Sequence, residues 1–366
     1  MYAFKKAAVY KEHFRMREEV LSVISQLEQN VATLENRKSK RIGLFGAGRY
    51  GSIVLSFLRK QGFNIVCYID NSQEKQNTIK DELKIVSADD PLVKSLDYVI
   101  SAIRGGCSNP GALDFDAYYV VKNFKEYEKI RNNEFHDDKS KETLDAILLS
   151  TLTGSNTYFQ SVMDFNQYFC LPQFINTFHD YFVDVGAYVG DGVERFIWAN
   201  TGIFKQIHAF EPTTRSFTAL EKRVARLSEE WALSDDSITL YQAGVADKDY
   251  LAAIGDSGVS AGSCISEQES SHLEQRVQVH SLDHKLQGVP VTFLKADIEG
   301  MEMPMLRGAR QLILKNKPKL AICVYHNIFD LIEILQYILE LVPEYKMALR
   351  HHSPSFAETV LYFWVE

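Results

Sequence analysis

The stretch that decides the fold is YFVDVGAYVGDG, residues 181–192. An apolar run ends at Asp184, and Gly186 and Gly190 follow at once, where small residues permit a tight turn and a close approach of the backbone to a ligand. A strand, a glycine turn and a helix in this order open an α/β nucleotide-binding fold. The D-x-G-x-x-x-G spacing differs from the dinucleotide fingerprint G-x-G-x-x-G, which argues against a pyrophosphate at this turn.

A second acidic residue follows in HAFEP, residues 208–212. Glu211 ends the next predicted strand, where a carboxylate can accept two hydrogen bonds from ribose hydroxyls, and Pro212 stops the strand. S-adenosylmethionine carries a sulfonium and an ammonium group instead of phosphates, so a carboxylate such as Asp184 near the turn is favourable. The turn and its two acidic residues therefore predict S-adenosylmethionine as the cofactor.

Strand-like segments continue from Tyr181 to the end of the sequence. They are YFVDVGA, QIHAFEP, SITLYQAGVA, RVQVHSLD, VTFLKADIEG, KLAICVYH, YKMALRHH and ETVLYFWV. With helices between the early segments, they predict a doubly wound α/β sheet.

Several of these segments resemble the motifs of the FkbM family of S-adenosylmethionine-dependent methyltransferases, over about residues 180–365. The segments are DVGAYVGD, HAFEP, LKADIEGMEMPMLRGA, KPKLAICVYH and RHHSPSFAETVLY. The resemblance implies a class I methyltransferase fold of seven strands whose last strand is antiparallel. It also implies an enzyme that methylates hydroxyl groups of sugars, glycan precursors or natural products. The residues that match cofactor positions are Asp184, Gly186, Gly190 and Glu211, and we add Tyr188 and Pro212 to this predicted site.

The same resemblance assigns Asp297 and Glu299 to a D-x-E-G motif that faces cofactor and acceptor, and we count Glu299 with the cofactor site. A base that removes the acceptor's proton accelerates such a reaction by about 10²- to 10⁴-fold. Asp297 is the first candidate because it ends a buried strand; the alternative is that it caps a helix or holds the cofactor's amino group. His326 and His351 end later strands and are the rival bases.

A metal site is the alternative use of these side chains. Asp297, His326, His351 and Glu358 are residue types that suit a divalent ion. They are scattered without ligand spacing, so the sequence predicts no metal.

An earlier stretch, GLFGAGRYG (residues 43–51), fits the dinucleotide fingerprint in full and predicts a Rossmann-like domain. Its candidate ligand residues are Gly46, Gly48, Arg49, Gly51 and Asp70. Arg49 can bind a phosphate or remain exposed to solvent. The segment resembles the nucleotide-binding domains that precede sugar-modifying enzymes of bacterial polysaccharide assembly, which implies a nucleotide, NAD(P) or a nucleotide sugar as ligand, or no ligand.

Two other functions stay open at this point. The first is an oxidoreductase or epimerase run by the amino-terminal domain; Tyr118 and Lys122 in YYVVK have the spacing of a Y-x-x-x-K pair, but they stand in a strand-like stretch. The second is a binding protein without catalysis. We predict a helical lead-in over 1–38, a Rossmann-like domain over 39–135, a helical connector over 136–180 and a methyltransferase domain over 181–366.

Composition limits the partners. The formal net charge is −8, and no basic stripe suits nucleic acid. Five separated cysteines, Cys67, Cys107, Cys170, Cys264 and Cys323, indicate reduced thiols. With no apolar run of about 20 residues and no signal peptide, we expect a soluble, cytoplasmic protein that acts on a small molecule or glycan, with a homo-oligomer left open.

Overall fold

The structure is a computed structural model that describes residues 2–104, 113–135, 137–254, 265–266 and 275–366; the backbone alone is described for 2–14, 113, 254, 265–266 and 275. The chain divides into two compact units. The amino-terminal unit comprises Met1–Asn133, Asp138–Val162 and Pro354–Phe356, and the carboxy-terminal unit comprises Glu134–Asp137, Met163–Ser353 and Ala357–Glu366. Within the described ranges, no helix is both long and apolar enough to cross a membrane.

The amino-terminal unit is an α/β unit. Its elements are α1 (Tyr2–Glu35), β1 (Ile42–Phe45), α2 (Arg49–Lys60), β2 (Ile65–Ile69), β3 (Ile79–Lys80), β4 (Leu83–Val86), α3 (Pro91–Lys94), β5 (Tyr98–Ser101), β6 (Leu113–Asp114), α4 (Phe115–Lys122), α5 (Phe124–Asn133), α6 (Asp138–Thr153) and α7 (Phe159–Val162). The six strands follow the order β3-β4-β2-β1-β5-β6. Because β1 pairs in parallel with both β2 and β5, and α2 connects β1 to β2, the predicted strand, turn, helix and strand are present.

The predicted connector over 136–180 is not a separate element. α6 belongs to the amino-terminal unit, whereas the chain from Met163 onward belongs, apart from Pro354–Phe356, to the other. The reason is packing: α6 lies against α1 and α4 and buries Leu144 and Leu149 completely. The lead-in helix α1 is part of the same core, so this unit is larger than the domain predicted over 39–135.

The carboxy-terminal unit contains the remaining elements. They are β7 (Tyr181–Val185), α8 (Asp191–Ala199), β8 (Gln206–Phe210), α9 (Thr214–Glu230), β9 (Ile238–Tyr241), β10 (Ala243–Val245), β11 (Tyr250–Ile254), β12 (Ile265–Ser266), β13 (Gln275–His280), α10 (Leu282–Lys285), β14 (Phe293–Ala296), α11 (Glu302–Gly308), α12 (Arg310–Asn316), β15 (Lys319–Cys323), α13 (Asp330–Leu341), β16 (Lys346–His351) and β17 (Thr359–Trp364).

Seven of its strands form one sheet in the order β16-β17-β15-β14-β7-β8-β9. The pairs from β15 to β9 are parallel, and β17 is antiparallel to both of its neighbours. The α/β fold class and the antiparallel last strand predicted from the sequence are confirmed. The core beside the sheet is aromatic; the rings of Phe182 on β7 and Phe196 on α8 stack with centroids 4.3 Å apart.

One segment was predicted to join this sheet, and that assignment was wrong because it forms a strand of another sheet. The segment RVQVHSLD supplies β13, which lies in a second, four-stranded sheet of order β10-β13-β11-β12. Val277 and Val279 are buried while Arg276 and Gln278 are exposed. This alternation is typical of a strand with one face in solvent, whereas the central parallel strands are buried on both faces.

Candidate active site

The turn between β7 and α8 requires its glycines. Gly186 and Gly190 have φ angles of +77° and +85°, which side chains other than glycine rarely adopt. A Cβ atom on Gly186 would lie 1.9 Å from the carbonyl oxygen of Asp297, so the turn is in direct contact with the chain after β14. The amides of Gly186 and Ala187 both donate to Phe210 O, which fastens the turn to β8.

Glu211 follows β8 and joins two loops. Its carboxylate accepts hydrogen bonds from Tyr188 N at 3.1 Å, from Thr213 N at 2.9 Å and from the Thr213 hydroxyl. Burial raises the pKa of Glu211, although the hydrogen bonds from Thr213 oppose that rise. Because a carboxylate has about four acceptor positions, about one remains for a ligand, on the oxygen that faces Tyr188.

Asp184 forms a buried ion pair that the sequence argument missed. It lies opposite Lys295 in the β7–β14 register, and the Lys295 ammonium is 2.8 Å from Asp184 Oδ1 and 2.8 Å from Gly186 O. Burial raises the pKa of Asp184, and Lys295 opposes that rise. Burial lowers the pKa of Lys295, but the negative charge of Asp184 opposes this effect, and the pKa of Lys295 is raised overall. Asp184 has no exposed surface. Lys295 therefore compensates the charge of Asp184 inside the protein, and the same ammonium group binds the turn at Gly186 O.

Asp297 lies directly after β14 and is held by two phenols. Tyr168 OH donates to Oδ2 at 2.9 Å and Tyr325 OH donates to Oδ1 at 3.0 Å. The side chain is 21% exposed. Asp297 thus has a fixed orientation and an accessible edge, which are the properties that a group acting on a bound acceptor needs.

His326 follows β15 by three residues and has carboxylates on both sides of its ring. Nδ1 lies 2.9 Å from Glu302 Oε1, and Nε2 lies 3.5 Å from Asp297 Oδ1 and 3.7 Å from Glu299 Oε2. Burial lowers the pKa of His326, but Glu302, Asp297 and Glu299 outweigh it and raise the pKa to about 9. Glu302 itself accepts from Ile298 N at 2.9 Å. The fold therefore brings Asp297, Glu299 and His326 together, with Glu302 as a member that the sequence argument missed.

His351 is not part of this cluster. It ends β16, the edge strand, and β17 and β15 separate it from β14, a distance of about 14 Å between strands. Its ring is fully buried, with Nδ1 2.8 Å from Thr359 Oγ1. Glu358 is nearer the cluster: burial raises its pKa and the charge of Asp297 raises it further.

Two side chains of the amino-terminal unit, Asp70 and Lys80, bind backbone groups of its glycine loop. Asp70 accepts from Ala47 N at 2.8 Å and from Ser72 N at 2.9 Å, and the Lys80 ammonium donates to Ala47 O at 3.0 Å and to Gly48 O at 2.9 Å. Burial raises the pKa of Asp70, but the backbone donors outweigh it and the pKa is lowered. Asp70 thus uses one acceptor position on the glycine loop and one on the chain after β2, and ligand binding there stays a prediction.

The remaining loop residues differ in their need for glycine. A Cβ atom on Gly51 would lie 2.0 Å from Gly46 O, and Gly46 has a φ of +107°, so both positions need glycine. Nothing lies within 4 Å of a Cβ on Gly48, and Arg49 begins α2.

Tyr118 and Lys122 lie on helix α4, not on a strand, because Asp114 caps the first turn by accepting from Ala117 N at 3.0 Å. Lys122 Nζ is 3.1 Å from Tyr118 OH, and both groups donate to Glu35.

Comparison with known families agrees with this geometry. The family model described as "Methyltransferase FkbM domain" matches residues 184–345, from the acidic end of β7 to the turn before β16. Over these residues the chain is similar to an FkbM methyltransferase domain. A second model, described as "C2185-like, N-terminal", matches residues 38–104.

Among solved structures, one shares the fold of this chain, and two others are more distantly similar. Methyltransferase FkbM from Methylobacillus flagellatus KT is 21% identical, with a TM-score of 0.60 over 96% of this chain and 100% of that chain. An rRNA methylase from Streptococcus thermophilus is 15% identical, with a TM-score of 0.32 over 51% and 88% of the two chains. Fibrillarin from Aeropyrum pernix in complex with S-adenosyl-L-methionine is 10% identical, with a TM-score of 0.28 over 50% and 66%. No curated protein matches the chain significantly.

Proposed function

We propose that this protein is an S-adenosylmethionine-dependent O-methyltransferase that methylates a hydroxyl of a sugar, a glycan precursor or a related natural product in the cytoplasm. The observation that carries the proposal is the position of Asp297. This carboxylate is oriented by two tyrosines and lies beside His326, and its backbone contacts the glycine turn of an FkbM methyltransferase domain.

The residues around the turn fit the cofactor. S-adenosylmethionine supplies an electrophilic methyl group when bound. The remaining acceptor position of Glu211 suits one ribose hydroxyl, and Tyr188, which is 38% exposed on the turn, offers an aromatic surface beside it. Gly186 and Gly190 keep this surface free of side chains, Pro212 directs the chain away from β8, and the Asp184–Lys295 pair supports the turn without exposing a charge.

Asp297 handles the acceptor's proton in this proposal. The protein must hold the acceptor oxygen in line with the transferred methyl group, so that the new carbon–oxygen bond forms as the carbon–sulfur bond breaks. Asp297 is fixed and accessible, and it takes the hydroxyl proton as the oxygen becomes an ether. His326 and Glu299 border the same space and position Asp297, whereas the buried ring of His351 on the edge strand is a poorer candidate for contact with the acceptor.

For the amino-terminal unit we propose a nucleotide, such as NAD(P) or the nucleotide part of a sugar donor or acceptor. Lys80 supports this assignment because its ammonium lies on the glycine loop, where it offers a positive charge to a phosphate. Binding of a nucleotide sugar that Lys80→Ala abolishes is the expected result, and affinity unchanged by this substitution would contradict it.

The test of the main proposal is isothermal titration of the full-length protein with S-adenosylhomocysteine. We expect micromolar binding, and we expect Glu211→Ala to weaken it by about 1–3 kcal/mol because buried donors on protein and ligand lose their acceptor. Glu221→Ala on the exposed face of α9 is the matched control, since it removes the same group away from the turn. No binding by the wild-type protein, or equal losses in both variants, would contradict the proposed cofactor site.

A further inference from the structure

The imidazole of His326 is surrounded by more negative charge than it can balance. Three carboxylates, Glu302, Asp297 and Glu299, lie 2.9, 3.5 and 3.7 Å from its ring nitrogens. One potential ligand atom from each of Asp297, Glu302 and His326 lies within 4.8 Å of the other two. A single protonated imidazole leaves the cluster with a net negative charge, which favours a cation.

Polar atoms in this cluster lack aligned hydrogen bonds. Among the described residues, neither ring nitrogen of His326 has a hydrogen-bond partner of good geometry, and neither does Glu302 Oε2. The His326 side chain is only 9% exposed. Buried polar atoms without partners are unfavourable, so they call for a ligand or an ion.

The two faces of the ring differ in access. Glu302, on the Nδ1 side, is almost completely buried and also accepts from Ile298 N. On the Nε2 side, Asp297 and Glu299 are 21% and 40% exposed, so water or a substrate oxygen can reach the space between them. An exchangeable ion therefore fits the Nε2 side.

We propose that His326 Nε2 and Asp297 Oδ1 bind a divalent cation, that the exposed Glu299 side chain rotates onto the ion as a third ligand, and that the Glu302 carboxylate stays beside Nδ1. A metal-bound histidine commonly has a carboxylate on its other ring nitrogen. His326 Nε2 and Asp297 Oδ1 are 3.5 Å apart. For an ion about 2.1 Å from each atom, the ligand–ion–ligand angle is about 110°, which suits a first-row divalent ion. One imidazole with two carboxylates and open positions suits Mn²⁺ or Zn²⁺.

The ion also has a place in the chemistry. A hydroxyl that reaches an open coordination position has a lowered pKa, so the ion would help to prepare the acceptor oxygen. This role rests on the proposed methyl transfer, whereas binding of the ion does not. Asp297 and His326 are far apart in the sequence, but β14 and β15 are adjacent strands and bring them to one edge of the sheet.

The experiment is a titration of the chelator-treated, full-length protein with Mn²⁺, followed by electron paramagnetic resonance of the free ion. We expect one Mn²⁺ per chain. His326→Gln and Glu299→Gln should each weaken binding at least about tenfold. The matched control is Asp249→Asn, because Asp249 contacts two histidines elsewhere, at 2.6 Å from His284 Nδ1 and 3.3 Å from His280 Nδ1; it should leave Mn²⁺ affinity unchanged.

Folding and the cofactor are measured on the same samples. The three tryptophans, Trp198, Trp231 and Trp364, all belong to the carboxy-terminal unit, so their fluorescence reports its folding in each variant. Glu299→Gln keeps the test decisive if His326→Gln fails to fold, because Glu299 is the more exposed side chain.

Three outcomes would overturn the cation site: no binding of Mn²⁺ or Zn²⁺ by the wild type, unchanged Mn²⁺ affinity in a folded Glu299→Gln, or loss of binding only in Asp249→Asn. Titration with S-adenosylhomocysteine without metal separates the two proposals. Cofactor binding without Mn²⁺ binding would refute the cation site alone, and Mn²⁺ binding without cofactor binding would support it while contradicting the proposed cofactor.

Discussion

Substitution of Gly186 by alanine tests the contact between the glycine turn and the chain after β14. The added Cβ would lie 1.9 Å from Asp297 O and 2.9 Å from the side chain of Ile298. The residue also keeps a φ of +77°, which costs an alanine about 1–2 kcal/mol. Overlap with backbone atoms adds about 1–3 kcal/mol, since the carbonyl cannot rotate away as a flexible side chain can. We expect Gly186→Ala to lower the free energy of unfolding by about 2–5 kcal/mol.

Gly288→Ala is the control for this prediction. Gly288 has a φ of +88°, and nothing lies within 4 Å of its added Cβ, so it carries the backbone cost without the overlap. Urea unfolding followed by tryptophan fluorescence reports the carboxy-terminal unit, and an unchanged slope allows the midpoints to be compared directly. Equal losses of stability in the two variants would refute the argument that the turn presses against Asp297. We also expect Gly186→Ala, and not Gly288→Ala, to weaken binding of S-adenosylhomocysteine.

Asp297→Asn should lower turnover by about 10²-fold or more while the affinity for S-adenosylhomocysteine changes little; the opposite pattern in turnover assays and titration would make Asp297 a cofactor ligand. Phe196→Ala should lower the free energy of unfolding by about 3–5 kcal/mol in the same urea assay, because it removes a ring stacked in the core, and a loss below about 1 kcal/mol would contradict this. Asp249 should titrate with a pKa of about 2 by carbon-13 NMR, because the Ser281 amide and then His284 and His280 stabilise its charged form. Since this pKa is lowered, the carboxylate's contribution to stability is present above its ordinary pKa of 3.8 and is lost as the pH falls toward 2; a midpoint near 4 would contradict the assignment.

Local patterns were sufficient to predict the turn and the strands around it. YFVDV is a continuous apolar run before glycines, which identifies β7 and the start of α8 without knowledge of the rest of the fold. Asp184 and Lys295 each interrupt an apolar strand, and a charge in such a strand needs a partner, so the sequence carries a signal for their pairing. Their cross-strand register, however, appears only when β7 and β14 are adjacent.

The composition of the cluster depended on strand order, which the sequence did not reveal. Asp297, His326 and His351 all follow or end strands, and this property alone makes them equivalent. In the sheet, β14 and β15 are neighbours, whereas the insertion of β17 moves β16 to the edge and takes His351 away. Glu302 and Tyr168 joined the site through contacts between distant segments, and no spacing in the sequence predicts such contacts.

The insertion of β17 also affects how the chain folds during its synthesis. This strand lies between β15 and β16, and all six of its residues are buried. During synthesis, both neighbours leave the ribosome before the strand that joins them, so β15 carries an unpaired apolar edge until residue 364 has emerged. Open edges of this kind invite pairing with other chains. A chain that stops before β17 is therefore expected to aggregate and to be a target for proteases, even though the turn and the acidic cluster have already been synthesised.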